Sequence, residues 1–341
     1  MLLKDFVNEM EKCEDTDGRF EIICNLAKKC SSSPAIREKF IKENFAVHRK
    51  RSLRKYISEG WYFRLIYNYC IRPIKPLGKV IHPDWDDEYF KGRAFWYYYS
   101  TNYKGFVEDI LDNIDEYRAV WNELADDKSK AVFVGVLKGR LSANKADFIA
   151  VMDPLKGQYL DEGVIGHMDR EVFADIGGYD GTSTRDFFDY AKGSEAKSYI
   201  FEIVHTNADI IRDLFKDDDR VTVIEKGCGD KKETLYYTGS GLAAMLVDYK
   251  TDQSAEITTL DDEIREELTY MKMDVEGAES SVLEGAKRHI ENDNMRMAVS
   301  VYHKPGDYWK LWRQIKGYGI DRKYYLRHYG FGEPDTVLYV V

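Results

Sequence analysis

The residues with chemistry to offer gather at the ends of a few short apolar runs in the second half of the chain. Glu171–Gly181 reads E-V-F-A-D-I-G-G-Y-D-G. Its β-branched and aromatic residues predict a buried strand, which stops at Asp175 and opens into glycines. Gly177 and Gly178 would let the backbone turn sharply and approach a ligand, with Tyr179 beside them. Gly181 would let the following helix sit close to the strand, and Thr182, Ser183 and Thr184 offer it cap hydroxyls. The stretch has no P-loop lysine and not the glycine spacing of a dinucleotide fingerprint, in which Asp175 would also repel a pyrophosphate. A carboxylate heading such a loop suits a cationic amino-acid moiety on a nucleoside-binding sheet, as in S-adenosylmethionine. The plain alternative is a Gly-rich turn.

Further strand ends carry acids. Ser198–Phe201 reads as the next strand and ends at Glu202, a carboxylate placed to accept from both ribose hydroxyls, with Ile203 beside it. Lys226-Gly227-Cys228-Gly229-Asp230 follows the third strand, and Gly229 and Asp230 are candidates for the adenine end, a simple turn being the alternative. Tyr270–Met273 ends on Asp274, with Glu276 and Glu279 close behind. Crowded acids repel one another unless a cation, a shared proton or hydrogen bonds intervene. The candidate cations are the sulfonium, a divalent metal or a protonated histidine. Acids without neighbouring His or Cys favour magnesium over zinc, and the expectation is no metal, with magnesium the minority reading. Met297–Tyr302 is a further strand running into His303, which is placed to take a proton from a hydroxyl with Asp274 or Glu276 orienting it.

The elements that must hold these groups form an α/β pattern. After Glu202 come a helix over 208–215, a strand at Val221–Ile224 and a hairpin of Leu235–Tyr237 with Ala255–Thr259. Two last strands, Lys323–His328 and Thr336–Val341, predict an antiparallel hairpin at the sheet edge. Before the sheet, helices are expected over residues 2–30 with a break at Asp15–Gly18, from Ala35, over Phe106–Leu124, and from Asp126. Arg37–Lys79 is a basic island with interspersed aromatics; a membrane surface or a polyanionic or lipid-linked substrate is one reading, a solvated helix face the plainer one. Residues 72–87 read as a connection, and Phe95–Tyr99 as an aromatic run suited to sugar stacking or to a core or subunit contact.

Composition bounds the classes. The 341 residues are 44% hydrophobic and 32% charged, and the net charge of -10 argues against a general nucleic-acid binder. No run of about eighteen apolar residues occurs and the start lacks the order of a signal peptide, so a cytoplasmic location is expected. Cys13, Cys24, Cys30, Cys70 and Cys228 are scattered and are expected to be reduced.

Taken in order, D-I-G-G-Y-D-G, F-E at 201–202, L-D at 260–261, M-K-M-D-V-E-G-A-E, Y-H-K-P at 302–305 and Y-L-R-H-Y at 325–329 resemble the FkbM-type methyltransferases, in the branch associated with bacterial glycans. The resemblance covers about residues 111–341, with the sheet core from about 160, and leaves a mainly helical region over 1–110 without a role. It implies the Rossmann-like class I methyltransferase fold: a seven-stranded, mostly parallel sheet with an antiparallel last strand and helices on both faces. It implies O-methylation with S-adenosylmethionine, of a sugar, glycan or secondary-metabolite hydroxyl. Asp175, Gly177 and Gly181 would then hold the methionine end, Glu202 the ribose, and Gly229 and Asp230 the adenine neighbourhood. Asp274, Glu276 and His303 would line the acceptor side, with Glu279, Arg327 and His328 touching the acceptor. The sequence departs from the family at Ile203-Val204 and in the adenine loop. A scaffolding protein that kept the fold and a nucleotide-sugar oxidoreductase are the rival readings. An oligomer through the N-terminal helices is a further expectation.

Overall fold

The computed structural model describes residues 2–55, 103–238, 245–247, 249–292 and 294–341. Two compact units emerge, one from residues 1–114 and 137–147, the other from 115–136 and 148–341. The aromatic run at 95–99, the connection at 72–87, Cys70 and residues 56–79 of the basic island lie outside the described residues. Among the described residues no helix is long and apolar enough to cross a membrane.

The first unit holds α1 (Leu3–Lys12), α2 (Thr16–Ser32) and α3 (Pro34–Lys55). Asp15 starts α2 by accepting from the Gly18 N–H at 2.6 Å, as an N-cap carboxylate does. Phe6 and Met10 of α1 and Phe20, Ile23 and Ala27 of α2 recur at helical spacing and are buried. Phe6 meets Phe40 edge to face at 6.0 Å. Buried Asn44 donates to the Arg140 and Leu141 carbonyls, at 3.0 and 2.8 Å. Arg37, from the basic island, pairs with Asp112 at 2.6 Å. The single helix expected over 106–124 is two, with a break at Asn113, whose side-chain amide donates to the Asp109 carboxylate at 2.9 Å.

The second unit is built on a seven-stranded sheet: β1 (Arg170–Ile176), β2 (Glu195–Phe201), β3 (Val221–Ile224), β8 (Tyr270–Met273), β9 (Arg296–Ser300), β10 (Tyr324–His328) and β11 (Thr336–Val340). The remaining strands, β4 (Gly227–Cys228), β5 (Glu233–Thr238), β6 (Met245–Val247) and β7 (Gln253–Thr258), make a small second sheet in the order β4-β7-β5-β6. The expected hairpin is thus the middle pair of a four-stranded sheet. The large sheet runs β10-β11-β9-β8-β1-β2-β3, parallel except for β11. This is the Rossmann-like order expected. The final antiparallel hairpin stands at the sheet edge as expected, with β10 outermost and β11 between β9 and β10. All of β11 is buried, which explains its unbroken apolar run Val337–Val340.

Parallel strands need crossovers, and the helices these supply cover the sheet. Phe173 of β1 stacks on Phe187 of α4 (Thr182–Tyr190) at 4.4 Å and on Tyr270 of β8 at 5.4 Å. At the N-terminal end of the strands, buried Glu171 pairs with Arg296 and accepts from the Thr269 hydroxyl, tying β1, β8 and β9 together. At the other end, Ile176 is level with Phe201 and with Met273, so Gly177, Glu202 and Asp274 follow at one height. The strand order reverses at β1, and a crevice opens there.

Candidate active site

The crevice is lined from β1 by Ile176, Gly177 and Tyr179, and from β2 by Phe201, Glu202 and Ile203. Lys226, Gly227 and Cys228 close one side, and Asp274, Val275, Glu276 and Ala278 the other. Gly177 is required by geometry: its φ is +83°, and a Cβ there would fall 2.1 Å from the Asp274 carbonyl oxygen. The β1 loop therefore crosses directly against the end of β8.

Glu202 is 6% exposed and accepts from the Tyr179 N–H at 2.9 Å and the Val204 N–H at 2.7 Å. Burial raises its pKa, and those two N–H groups work against the rise. The Asn207 side chain also bonds to it, and the carboxylate keeps remaining acceptor capacity toward the crevice. Asp175 behaves differently. It is fully buried, accepts from the Thr184 hydroxyl at 2.9 Å and lies 3.1 Å from the Lys272 ammonium. Lys272 in turn donates to the Gly177 carbonyl and sits over the Tyr159 ring, 5.3 Å from its centre.

The acidic end of the crevice is organised around His303, which follows β9. Asp274 Oδ1 and Glu276 Oε2 lie 3.3 and 3.6 Å from His303 Nε2, and Glu279 Oε1 lies 2.7 Å from Nδ1. The histidine is 3% exposed, whereas the two carboxylates facing Nε2 are about a quarter exposed along the crevice. Tyr159 and Tyr302 donate to the two oxygens of Asp274, at 2.8 and 3.1 Å. Burial acts to raise the Asp274 pKa, but His303, Lys272 and the Tyr159 hydroxyl hold it below the ordinary value. Burial alone would lower His303; Glu279 and Glu276 reverse that and lift it well above the usual histidine range. Burial raises Glu276, and the neighbouring Asp274 and Glu279 add to the rise. Glu276 stands at φ +55°, a backbone conformation that costs energy in any residue with a side chain.

Residues 175–331 match the family model described as methyltransferase FkbM domain. This stretch is an FkbM methyltransferase domain. The chain is similar to the crystal structure of methyltransferase FkbM from Methylobacillus flagellatus KT, with 26% identity and a TM-score of 0.62 over 69% of this chain and 60% of that one. It thus spans 60% of the length of that relative. It also matches fibrillarin from Aeropyrum pernix in complex with natively bound S-adenosyl-L-methionine, at 16% identity and a TM-score of 0.36, over 55% of this chain and 71% of that one. Among curated proteins no match was found.

Within the FkbM domain the structure brings Gly177, Tyr179, Glu202, Ile203, Asp274 and Glu276 to one crevice. Other expected residues stand elsewhere. Asp175 does not line it, because Lys272 and the hydroxyls of α4 take its charge. Gly178 packs on Ile200, and Gly181 starts α4 against Ile211 and Phe215. Gly229 and Asp230 do not line the crevice; Gly227 and Cys228, which pair with β7, do. Asp230 is bound by the Ser281 hydroxyl at 2.9 Å, and Gly229 lies against Gly285. Arg327 is 4% exposed between Asp161 and Asp126, at 2.9 and 2.8 Å, where two carboxylates satisfy its guanidinium. His328 is fully buried with Nδ1 2.9 Å from the Thr336 hydroxyl. Glu279 is 1% exposed and sits behind His303. Neither Arg327, His328 nor Glu279 is placed to touch an acceptor.

Sequence reasoning passed over Lys272, Tyr159 and Gly227. A lysine inside an otherwise apolar strand was a legible signal, since a buried ammonium demands a partner. Tyr159 lies in a loop whose sequence carries no comparable mark. The histidine expected beside these acids is there, with His303 Nε2 3.3 Å from Asp274 and 3.6 Å from Glu276.

Proposed function

We propose that this protein is an S-adenosylmethionine-dependent O-methyltransferase acting on a hydroxyl of a sugar, glycan or related polar metabolite. The supporting observation is that one crevice joins Glu202, a buried carboxylate with acceptor capacity for ribose, to the Asp274–Glu276 pair. The glycine turn at Gly177 lets a bound cofactor lie against the backbone, with its sulfonium directed toward the acids. Tyr159 and Tyr302 put hydroxyls on Asp274 at that end, so the acceptor side is polar. Such a lining suits a hydroxylated acceptor rather than a greasy one.

In this reading the acceptor oxygen attacks the methyl carbon in line with the carbon–sulfur bond. The bond's electrons return to sulfur, neutral S-adenosylhomocysteine leaves, and the hydroxyl proton passes to Asp274 or Glu276. His303 lies behind these acids and acts as a positioning residue, with Glu279 fixing its ring. The residues supply alignment and a nearby proton acceptor, which is most of what such a displacement needs.

The test is calorimetry with S-adenosylmethionine, followed by transfer of labelled methyl groups to a panel of saccharides and amines. Stoichiometric cofactor binding and label on oxygen are expected. Absence of binding, or label confined to nitrogen, overturns the reading. Preference for NAD in the same assay would favour an oxidoreductase.

A further inference from the structure

We propose that Asp274, Glu276 and His303 form a binding site for a small divalent cation at the acceptor end of the crevice. One oxygen of each acid and a ring nitrogen of His303 lie within 4.8 Å of one another. The Nε2 to carboxylate separations are 3.3 and 3.6 Å. An ion with ligand bonds of about 2.1 Å sets neighbouring ligand atoms about 3.0–3.4 Å apart, so little movement is needed.

The histidine supplies the independent observation. It is 3% exposed, yet neither ring nitrogen makes an aligned hydrogen bond, and Nε2 is aimed between the two carboxylates. Glu279, 1% exposed and 2.7 Å from Nδ1, stands on the far side of the ring and holds Nε2 turned toward the two acids. A carboxylate behind a ligating histidine is the usual support of a metal site. Charge points the same way: three carboxylates face one imidazole, while Lys272 is committed to Asp175 and Lys304 to the Gly277 carbonyl. Two carboxylates and one imidazole, with open positions toward the crevice, fit manganese or magnesium better than a closed zinc site. The cation would take the acceptor hydroxyl as a further ligand and acidify it. That role rests on the O-methyltransferase reading; binding of the ion does not.

Titration of the full-length, metal-free protein with Mn(II), followed by electron paramagnetic resonance, tests the site. The expected result is one bound ion per chain, displaced by excess Mg(II), with affinity at least about tenfold weaker in His303→Gln and Glu276→Gln. Glu279→Gln, which removes only the support, should weaken it about 10- to 100-fold. Melting and S-adenosylhomocysteine binding identify the variants that remain folded, and Glu279→Gln serves if His303→Gln does not. Lack of stoichiometric binding, or binding unchanged in a folded variant, overturns the proposal. Bound Mn(II) without methyl transfer to any hydroxylated acceptor keeps the site and removes the enzymatic reading. Full transfer after chelation, with no ion bound, does the reverse.

Discussion

At the scale of single residues, what decides a role is where each buried charge finds its counterpart. Asp175 and Lys272 are both buried and 3.1 Å apart, so each holds the other in place. Removing the ammonium strands a carboxylate in the core, a loss of about 3–5 kcal/mol. Lys272→Met should therefore lower the urea midpoint strongly, and adding Asp175→Asn should recover much of the loss. Additive effects in this cycle would show that the two side chains act separately. Glu202 has lone pairs facing the crevice, and a hydrogen bond to a charged group contributes about 1.5–3 kcal/mol. Glu202→Gln is expected to weaken S-adenosylhomocysteine binding about 10- to 100-fold by calorimetry. Unaltered affinity would remove it from the cofactor site.

At the scale of elements, the ends of the strands and helices carry the constraints. The Gly177 turn crosses the end of β8 so closely that no side chain fits. Gly177→Ala must push the two loops apart and hold a left-handed backbone, costing at least about 1 kcal/mol. Loss of cofactor binding with lowered stability is the expected outcome, read by calorimetry and urea unfolding.

The helix Asp307–Gly317 presents a second case. Asp307 accepts from the Lys304 N–H at 2.6 Å, and burial together with Glu279 pushes its pKa up from 3.8 to about 7, against His303 and Lys304. The folded state then holds this proton more tightly than the unfolded chain does. Its stabilising contribution is complete below about pH 4 and is lost as pH rises through about 7. Asp307→Asn keeps an acceptor for Lys304 without the charge. Its melting temperature should exceed that of the wild type at about pH 8.5 and match it at about pH 5. An equal shift at both values would exclude this origin.

At the scale of the whole molecule, the strand order makes the crevice. Parallel β1, β2 and β8 end at one height, and the reversal at β1 separates the crossovers that would otherwise close the gap. A ligand that fills this space binds only the folded chain, and at 100 times its Kd stabilises it by about 2.7 kcal/mol. S-adenosylmethionine and S-adenosylhomocysteine should raise the melting temperature in a dose-dependent way, and NAD should not. The absence of any shift with the first two would show that the crevice is not a cofactor site.

The amino-acid sequence determined the strands, their ends and the family, because strand periodicity, glycine turns and a terminal acid are local features written in consecutive residues. Glu202, Gly177 and the Asp274–Glu276 pair were legible on that basis. What only the tertiary structure decided was which charges are spent on one another. Asp175 faces Lys272, Arg327 faces Asp126 and Asp161, and His303 stands behind the acids that were expected to orient it. The place of β11 between β9 and β10, and the lining of the crevice by Gly227 and Cys228 rather than Gly229 and Asp230, belong to the same class. A sequence shows that a charge is present; which distant partner neutralises it, or whether it is left for a ligand, depends on the packing of strands far apart in the chain.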